Sequence, residues 1–248
     1  MARFIGLFVG FITIFFLMPL AASAAWWSQV DRPASWRSAD WGSSGLLPPA
    51  AVSEPAAIYV MTARTGGFKG AFSVHSWIVV KPAGAPRYTR FDKVGWGQPV
   101  RVDAYAADAN WYSNPPTIIK AITGAEAEAL IDDVLQAVES YPHSERGDYT
   151  LWPGPNSNSF IAHIMWQVPA LGVSLPANAV GRDFLSDGNI VTVSPDGWNV
   201  HVSLRGWIGF AMGRNVGLEA HFLGQSIGID FLRPALQVPG IGRVGMAL

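Results

Sequence analysis

Hydrophobic and polar positions divide the chain into regions of different character. Phe4–Leu20 is an almost unbroken apolar run, FIGLFVGFITIFFLMPL. Ala25–Pro49 has no periodicity. From Glu54 onward the pattern becomes that of a folded domain. Ala57–Ala63 (AIYVMTA) reads as a strand, and Gly66-Gly67 marks a turn. Phe72–Val80 (FSVHSWIVV) is a second strand, whose alternation sets Ser73, His75, Trp77 and Val79 on one face. After a Pro- and Gly-rich turn at Lys81–Pro86, Arg87–Val94 returns as a third strand. Pairing Val80 with Arg87 sets His75 opposite Asp92, a register that loop length alone does not fix.

Two helices follow. In Gly124–Ser140 the apolar residues Ala127, Leu130, Ile131, Val134, Leu135 and Val138 form a stripe. Thr123 and Glu126 have the spacing of a capping box, and Pro142 ends the helix. The second helix runs from about Asn158 to Val168, with Phe160, Ile161, Ile164, Met165 and Val168 as its buried face and Pro169 as its stop. His163 and Gln167 fall off that stripe. Beyond Leu171 the chain is Gly-rich and strand-like, with Val200–Phe210 and Gly217–Leu223 as hairpin strands. The pattern predicts an α+β fold: an antiparallel sheet with two packed helices, plus a Gly-rich β-hairpin C-terminal extension.

Composition narrows the class. Of 248 residues, 50% are hydrophobic, enough for one sizeable core. Net charge is −1 with 14% charged residues, so no nucleic-acid partner is expected. The absence of Cys removes disulfides, thiol nucleophiles and thiolate metal sites. No cofactor and no metal site is expected: the terminal GIGRVG lacks both the dinucleotide pattern and its strand-turn-helix context. The 11 Trp suggest broad aromatic packing or a binding face.

Arg3, the apolar run and Ala22-Ser23-Ala24 read as a signal peptide cleaved after Ala24 or as an uncleaved N-terminal membrane anchor. Either implies export to the periplasm or cell envelope. The expected organisation is a targeting segment at residues 1–24, a tether at 25–49 and a single α+β domain at 50–248.

Candidate chemistry centres on Tyr149–Phe160 (YTLWPGPNSNSF). Its Pro-Gly-Pro turn delivers Asn156, Ser157 and Asn158 to a helix N-terminus, where unpaired N–H groups and the positive dipole end gather. His75 on the second strand is the candidate base. In the structural reading, Ser157 or Asn156 caps the helix and His75 is a core histidine. In the functional reading, Ser157 is nucleophile, His75 base and Asp92 orienter, with backbone N–H groups for an oxyanion. Glu219 and His221 share a strand face: they read either as a catalytic or metal pair or, as exposed strand faces commonly carry such residues, as ordinary exposed positions, the favoured reading.

The order His-bearing strand, hairpin, helix, then N-S-N-S-F opening a helix resembles the circularly permuted papain-like, NlpC-type fold, with Ser157 in place of the catalytic Cys. The chain is more closely similar to the bacterial domain-of-unknown-function family 3750, through WPGPNSNSF, HSWIVVKPAG, LPANAVGRDFL and RPALQVPGIGRVG. The papain-like resemblance implies an exported Ser-dependent hydrolase or acyltransferase acting on an amide or ester. Its partner would be a cell-envelope component: glycan, peptide or lipid. Trp77, Trp152, Asn156 and Asn158 would be the substrate-binding residues. A non-catalytic glycan- or lipid-binding module, with Trp77, Trp96, Trp111 and Trp152 lining an inherited cleft, is the alternative.

Overall fold

The structure is a computed structural model that describes residues 2–246. It is α+β, with two antiparallel sheets. The first sheet has strand order β4-β3-β2-β1-β5, with β1 Ala57–Arg64, β2 Val74–Lys81, β3 Thr89–Lys93, β4 Val100–Val102 and β5 Thr117–Thr123. Strands β1 and β2 are buried on both faces, which is why AIYVMTA carries no polar alternation. On one face Ile58, Val60, Ile78 and Val80 pack against helices α3 (Ala125–Glu139) and α4 (Ser157–Gln167). On the other face Tyr59, Met61, Trp77 and Val79 meet an aromatic layer that includes Trp111, Trp41 and Tyr105.

Two local expectations are corrected. The β2–β3 register pairs Val80 with Thr89 and Trp77 with Asp92, so the expected Val80–Arg87 pairing is off by two residues. The connecting loop extends through Tyr88, and a slip of two preserves which face each residue occupies. Helix α3 has no side-chain cap: Thr123 stays in β5, and the N-cap is Gly124 at φ 72 and ψ −145. That backbone conformation suits glycine alone, so the Thr123–Glu126 capping box does not form.

The second sheet is a meander, β12-β11-β10-β9-β8-β7-β6. Its strands are β6 Val191–Val193, β7 Asn199–Ser203, β8 Ile208–Gly213, β9 Gly217–Phe222, β10 Gln225–Asp230, β11 Ala235–Val238 and β12 Gly242–Gly245. Short turns such as Gly213–Gly217, with Gly217 at φ 72, reverse the chain. The Gln225 side chain donates to the Phe72 carbonyl and Gln237 accepts from the Ala177 N–H, so this sheet is tied to the first.

At the N-terminus, α1 (Ala2–Ile12) and α2 (Met18–Trp27) are joined by a π-helical turn at Thr13–Leu17. Arg3–Trp27 forms a helix long and apolar enough to cross a membrane, and little of it is buried. Its C-terminal end is built into the domain. The Ser23 hydroxyl donates to the Ala71 and Gly240 carbonyls at 2.6 and 3.0 Å, and Trp27 Nε1 donates to the Gly67 carbonyl. The segment expected as a tether also lies against the domain. Trp41 packs on Trp111 and Tyr112, and Ser43 bonds Asp108.

Candidate functional site

Helix α4 begins at Ser157, one residue earlier than expected, and the cap is Asn156. Asn156 Oδ1 accepts from the N–H groups of Asn158 and Ser159, and Ser159 Oγ accepts from the Asn156 N–H at 2.7 Å, which completes a capping box. Asn156 Nδ2 also donates to the carbonyls of Leu151 and Val180. The cap is therefore a buried, fully engaged side chain, and Ser157 occupies the first helical position without capping it. Two cis prolyl bonds, Trp152–Pro153 and Gly154–Pro155, shape the turn that precedes it.

The N-terminus of α4 docks on β2. Asn158 accepts from the Ser76 hydroxyl at 2.7 Å and donates to the carbonyls of Val74 and Val180 at 2.9 and 2.8 Å. The two stretches singled out in the sequence thus meet, through the residues on either side of His75. His75 itself points the other way. It shares the aromatic face with Trp77, whereas α4 packs on the face of Val74 and Ile78. Its ring stacks on Trp111 with centroids 3.7 Å apart and planes 4° from parallel. Ser157 belongs to α4, on the opposite face of β2 from the His75 ring. No hydrogen bond joins Ser157 and His75 among the described residues.

The expected His75–Asp92 pairing is present: His75 Nε2 lies 3.2 Å from Asp92 Oδ2. Because Asp92 stands opposite Trp77, the contact is diagonal rather than cross-strand. The same Oδ2 accepts from Arg90 at 2.9 Å, and the Arg90 guanidinium sits 4.2 Å from the Trp77 ring centre. All three groups are buried. Burial lowers the His75 pKa from its ordinary value, Asp92 raises it in part, and Arg90 lowers it again. The imidazole is therefore held neutral. Burial pushes the Asp92 carboxyl up, but the hydrogen bonds and charges of His75 and Arg90 outweigh it and leave the group below its usual range. With Nε2 engaged by a carboxylate, the tautomer is fixed and Nδ1 is left as the basic nitrogen.

Ser157 is buried, and the Tyr149 phenol lies near its hydroxyl and backbone N–H. Burial raises the Tyr149 pKa, and these contacts with Ser157 oppose the rise. The other expected site residues lie elsewhere. Trp77 is fully buried and donates from Nε1 to the Ala107 carbonyl, so it supports the floor beneath His75. Trp152 packs edge-on against Trp207, at 4.4 Å, where the α4 turn meets the second sheet. Sequence reasoning missed Arg90, placed Trp111 only among the cleft-lining residues of the binding alternative, and gave Tyr149 no role although it opens the YTLWPGPNSNSF motif. Arg90 carried a signal, since it lies two residues from Asp92 and so on the same strand face; nothing in the sequence tied Trp111 to His75.

A second polar cluster lies on the inner face of the second sheet. Glu219 and His221 are buried there rather than exposed, which corrects the reading of that strand. Arg182 donates to the Glu219 carboxylate and the Leu175 carbonyl, His221 Nδ1 pairs with Ser226 Oγ at 2.8 Å, and the His201 and His221 rings are 5.0 Å apart. Burial pushes Glu219 up to about 7 and His201 down to about 4. Among the described residues, no three His, Asp or Glu side chains gather as metal ligands.

Comparison with known families matches residues 55–184 to the one described as "Protein of unknown function (DUF3750)". The match contains both halves of the His75–Ser157 region and stops before the second sheet. No curated protein and no solved structure matches the chain.

Proposed function

We propose, for a chain that belongs to the DUF3750 family, an exported and membrane-attached envelope protein with a Ser-dependent acyl-transfer site. The observation that carries the reading is the His75 Nε2–Asp92 contact of 3.2 Å at the end of the sheet where the α4 N-terminus docks. Ser157 Oγ would attack the carbonyl carbon of an amide or ester while His75 Nδ1 takes its proton. Asp92 would stabilise the imidazolium that forms. The Ser157 N–H lies at a helix N-terminus, and the Tyr149 hydroxyl beside it is the natural second donor to the oxyanion. The proton on His75 would then pass to the leaving amine or alcohol, and water or an acceptor hydroxyl would release the acyl group from Ser157. Tyr149 lies beside Ser157, so the attacking hydroxyl would turn from the phenol toward the substrate carbonyl.

A fluorophosphonate probe tests this reading. The expected result is one adduct, located by peptide mass spectrometry at Ser157, and lost in both Ser157→Ala and His75→Ala while circular dichroism stays native. Labelling elsewhere, or labelling indifferent to His75, would sink it. A non-catalytic binding module is favoured by one feature: Asp92 Oδ2 is shared with Arg90 and so serves a buried ion pair as well as the histidine. That reading expects no adduct at all.

Attachment through the N-terminus, with the apolar helix retained, is supported by the contacts of Ser23. The Ala22-Ser23-Ala24 segment is helical, with Ser23 buried and bonded to two carbonyls of the domain, whereas a peptidase needs it extended and accessible. Intact mass of protein from the membrane fraction should include residues before Ala25.

A further inference from the structure

The second sheet is inverted. One row crosses all seven strands by register: Val193, Val200, Met212, Leu218, Ile229, Leu236 and Val244. Every member is apolar and faces away from the rest of the protein, and six of the seven are roughly half exposed, from 45% at Ile229 to 55% at Met212. The parallel row on the inner face contains His201, Glu219, Gln237 and Arg243. An antiparallel sheet with one free face ordinarily turns its polar side to water. Here the polar side is buried, and the outer side is a continuous apolar surface of the kind that marks a partner or a membrane.

The structure also shows what adjoins this face. Phe222 lies on the same outer face, four residues along β9 from Leu218, and its ring packs on Phe16 of the N-terminal helix at 5.8 Å. The apolar sheet face therefore runs into the apolar surface of Arg3–Trp27 without interruption. The strands have 3 to 6 residues, too few to span a bilayer, which takes roughly 9–11. We propose that the outer face of β6–β12 lies in the leaflet of the membrane that the N-terminal helix crosses, beside the C-terminal half of that helix. The occupant is the acyl-chain layer of that leaflet. The helix alone would be a flexible tether; with the sheet face immersed, the domain has a fixed orientation at the bilayer surface.

This inference rests on reading Arg3–Trp27 as a retained anchor, and the test separates the two. The chain has no Cys, so single-cysteine variants report cleanly. Met212→Cys and Leu218→Cys probe the sheet face, Ile5→Cys the helix and Asp132→Cys the exposed side of α3. Each full-length variant is labelled with an environment-sensitive dye and reconstituted in phosphatidylethanolamine–phosphatidylglycerol vesicles carrying acyl-chain nitroxide lipid. The expected result is a blue-shifted emission with loss of intensity to the nitroxide at positions 5, 212 and 218, and neither at 132. Nitroxide quenching at 5 alone overturns the inference and leaves the anchor standing. Quenching at none of the four overturns both. Dry labels at 212 and 218 without nitroxide quenching, with Met212→Cys forming disulfides between copies, would assign the face to self-association instead. Position 132 also serves as the folding control, because a misfolded preparation would blue-shift there as well.

Discussion

Ser76 and Asn158 are 82 residues apart in the chain and joined by a 2.7 Å hydrogen bond. Each is the residue immediately after a candidate catalytic group, His75 and Ser157 respectively. The bond fixes the helix N-terminus against the strand, and Asn158 adds donations to the Val74 and Val180 carbonyls. The bonds to Ser76 and Val74 are buried, and that to Val180 is partly so. Asn158→Ala leaves the Ser76 hydroxyl without its partner and removes one donor from each of the Val74 and Val180 carbonyls, Val180 keeping that of Asn156. It should cost about 2–4 kcal/mol, against about 1 kcal/mol for Ser76→Ala, because several buried groups lose their bonds instead of one. Denaturant titration measures both. Equal costs would mean that Asn158 does not carry the docking.

Asn156 and Ser157 are separable in the same way. The cap is Asn156, whose side chain makes four hydrogen bonds, two to N–H groups of the first turn and two to carbonyls. Asn156→Ala should lower stability by about 2 kcal/mol or more. Ser157→Ala should cost well under 1 kcal/mol, since its hydroxyl makes no cap. Thermal melts of the two variants decide it. A larger loss for Ser157→Ala would make that serine structural.

The parts of this fold legible in the sequence were those with a strong local period. The stripe of α3, the Asn-Ser-Asn-Ser entry to α4 and the apolar β1 and β2 were all visible. The His75–Asp92 contact was expected for the right face and the wrong register, because face depends on a period of two while register depends on a loop whose length does not specify it. Glycine misled at α3: Thr123 and Glu126 had the spacing of a cap, yet Gly124 takes a positive φ that removes Thr123 from the helix. The aromatic layer was not legible. Trp111 stacks on His75 from a segment, Asp103–Pro116, with no periodicity, so only the tertiary fold brings it there. The second sheet was visible as hairpins, but its inversion was not. Alternation tells which residues share a face and is silent on which face meets water.

Ser157→Cys converts the question of the base into a rate. Cys at a helix N-terminus near a neutral imidazole loses its proton to that imidazole, lowering its apparent pKa from about 8.5. Burial weakens His75 as a base, and the contact with Asp92 offsets part of that loss by favouring the imidazolium that would form. Alkylation of Ser157→Cys by iodoacetamide should run about tenfold or more faster at pH 7 than that of Asp132→Cys. The advantage should vanish in the Ser157→Cys, His75→Ala double variant. A rate that follows an ordinary thiol titration and ignores His75 would separate the two stretches chemically.

Asp183 supplies a pH prediction that does not depend on the site. Both of its oxygens are buried without a partner, and burial pushes it up to about 7 from 3.8. A carboxyl whose folded value is raised stabilises the protein most below its unfolded value, and that contribution is lost as pH rises through about 7. Asp183→Asn removes the titration. Relative to the wild type, the variant should be more stable at pH 8 than at pH 5, with the difference growing between pH 4 and 7 to a few kcal/mol. His201 also titrates in this range but is common to both proteins, whereas the Asp183 charge helps to raise Glu219, so Asp183→Asn lowers Glu219 and adds to the difference in the same sense. A difference independent of pH would mean that Asp183 ionises normally.

Gly181 ties the second motif, LPANAVGRDFL, to the α4 cap. Its φ is 94, and a Cβ there would lie 2.3 Å from Asn156 Nδ2 and 2.7 Å from Asn156 Oδ1. Gly181→Ala therefore meets two costs: a left-handed backbone, on the order of 1–2 kcal/mol for a residue with a Cβ, and displacement of a side chain that is the helix cap. The total should reach about 3 kcal/mol or more. The second cost exists only while Asn156 is present. In an Asn156→Ala background the added loss from Gly181→Ala should shrink by at least about 1 kcal/mol, the size expected for directly contacting residues. A double-mutant cycle on urea unfolding at fixed pH measures that coupling. Strict additivity would show that the glycine is needed for its backbone alone and that the contact with the cap has no energetic weight.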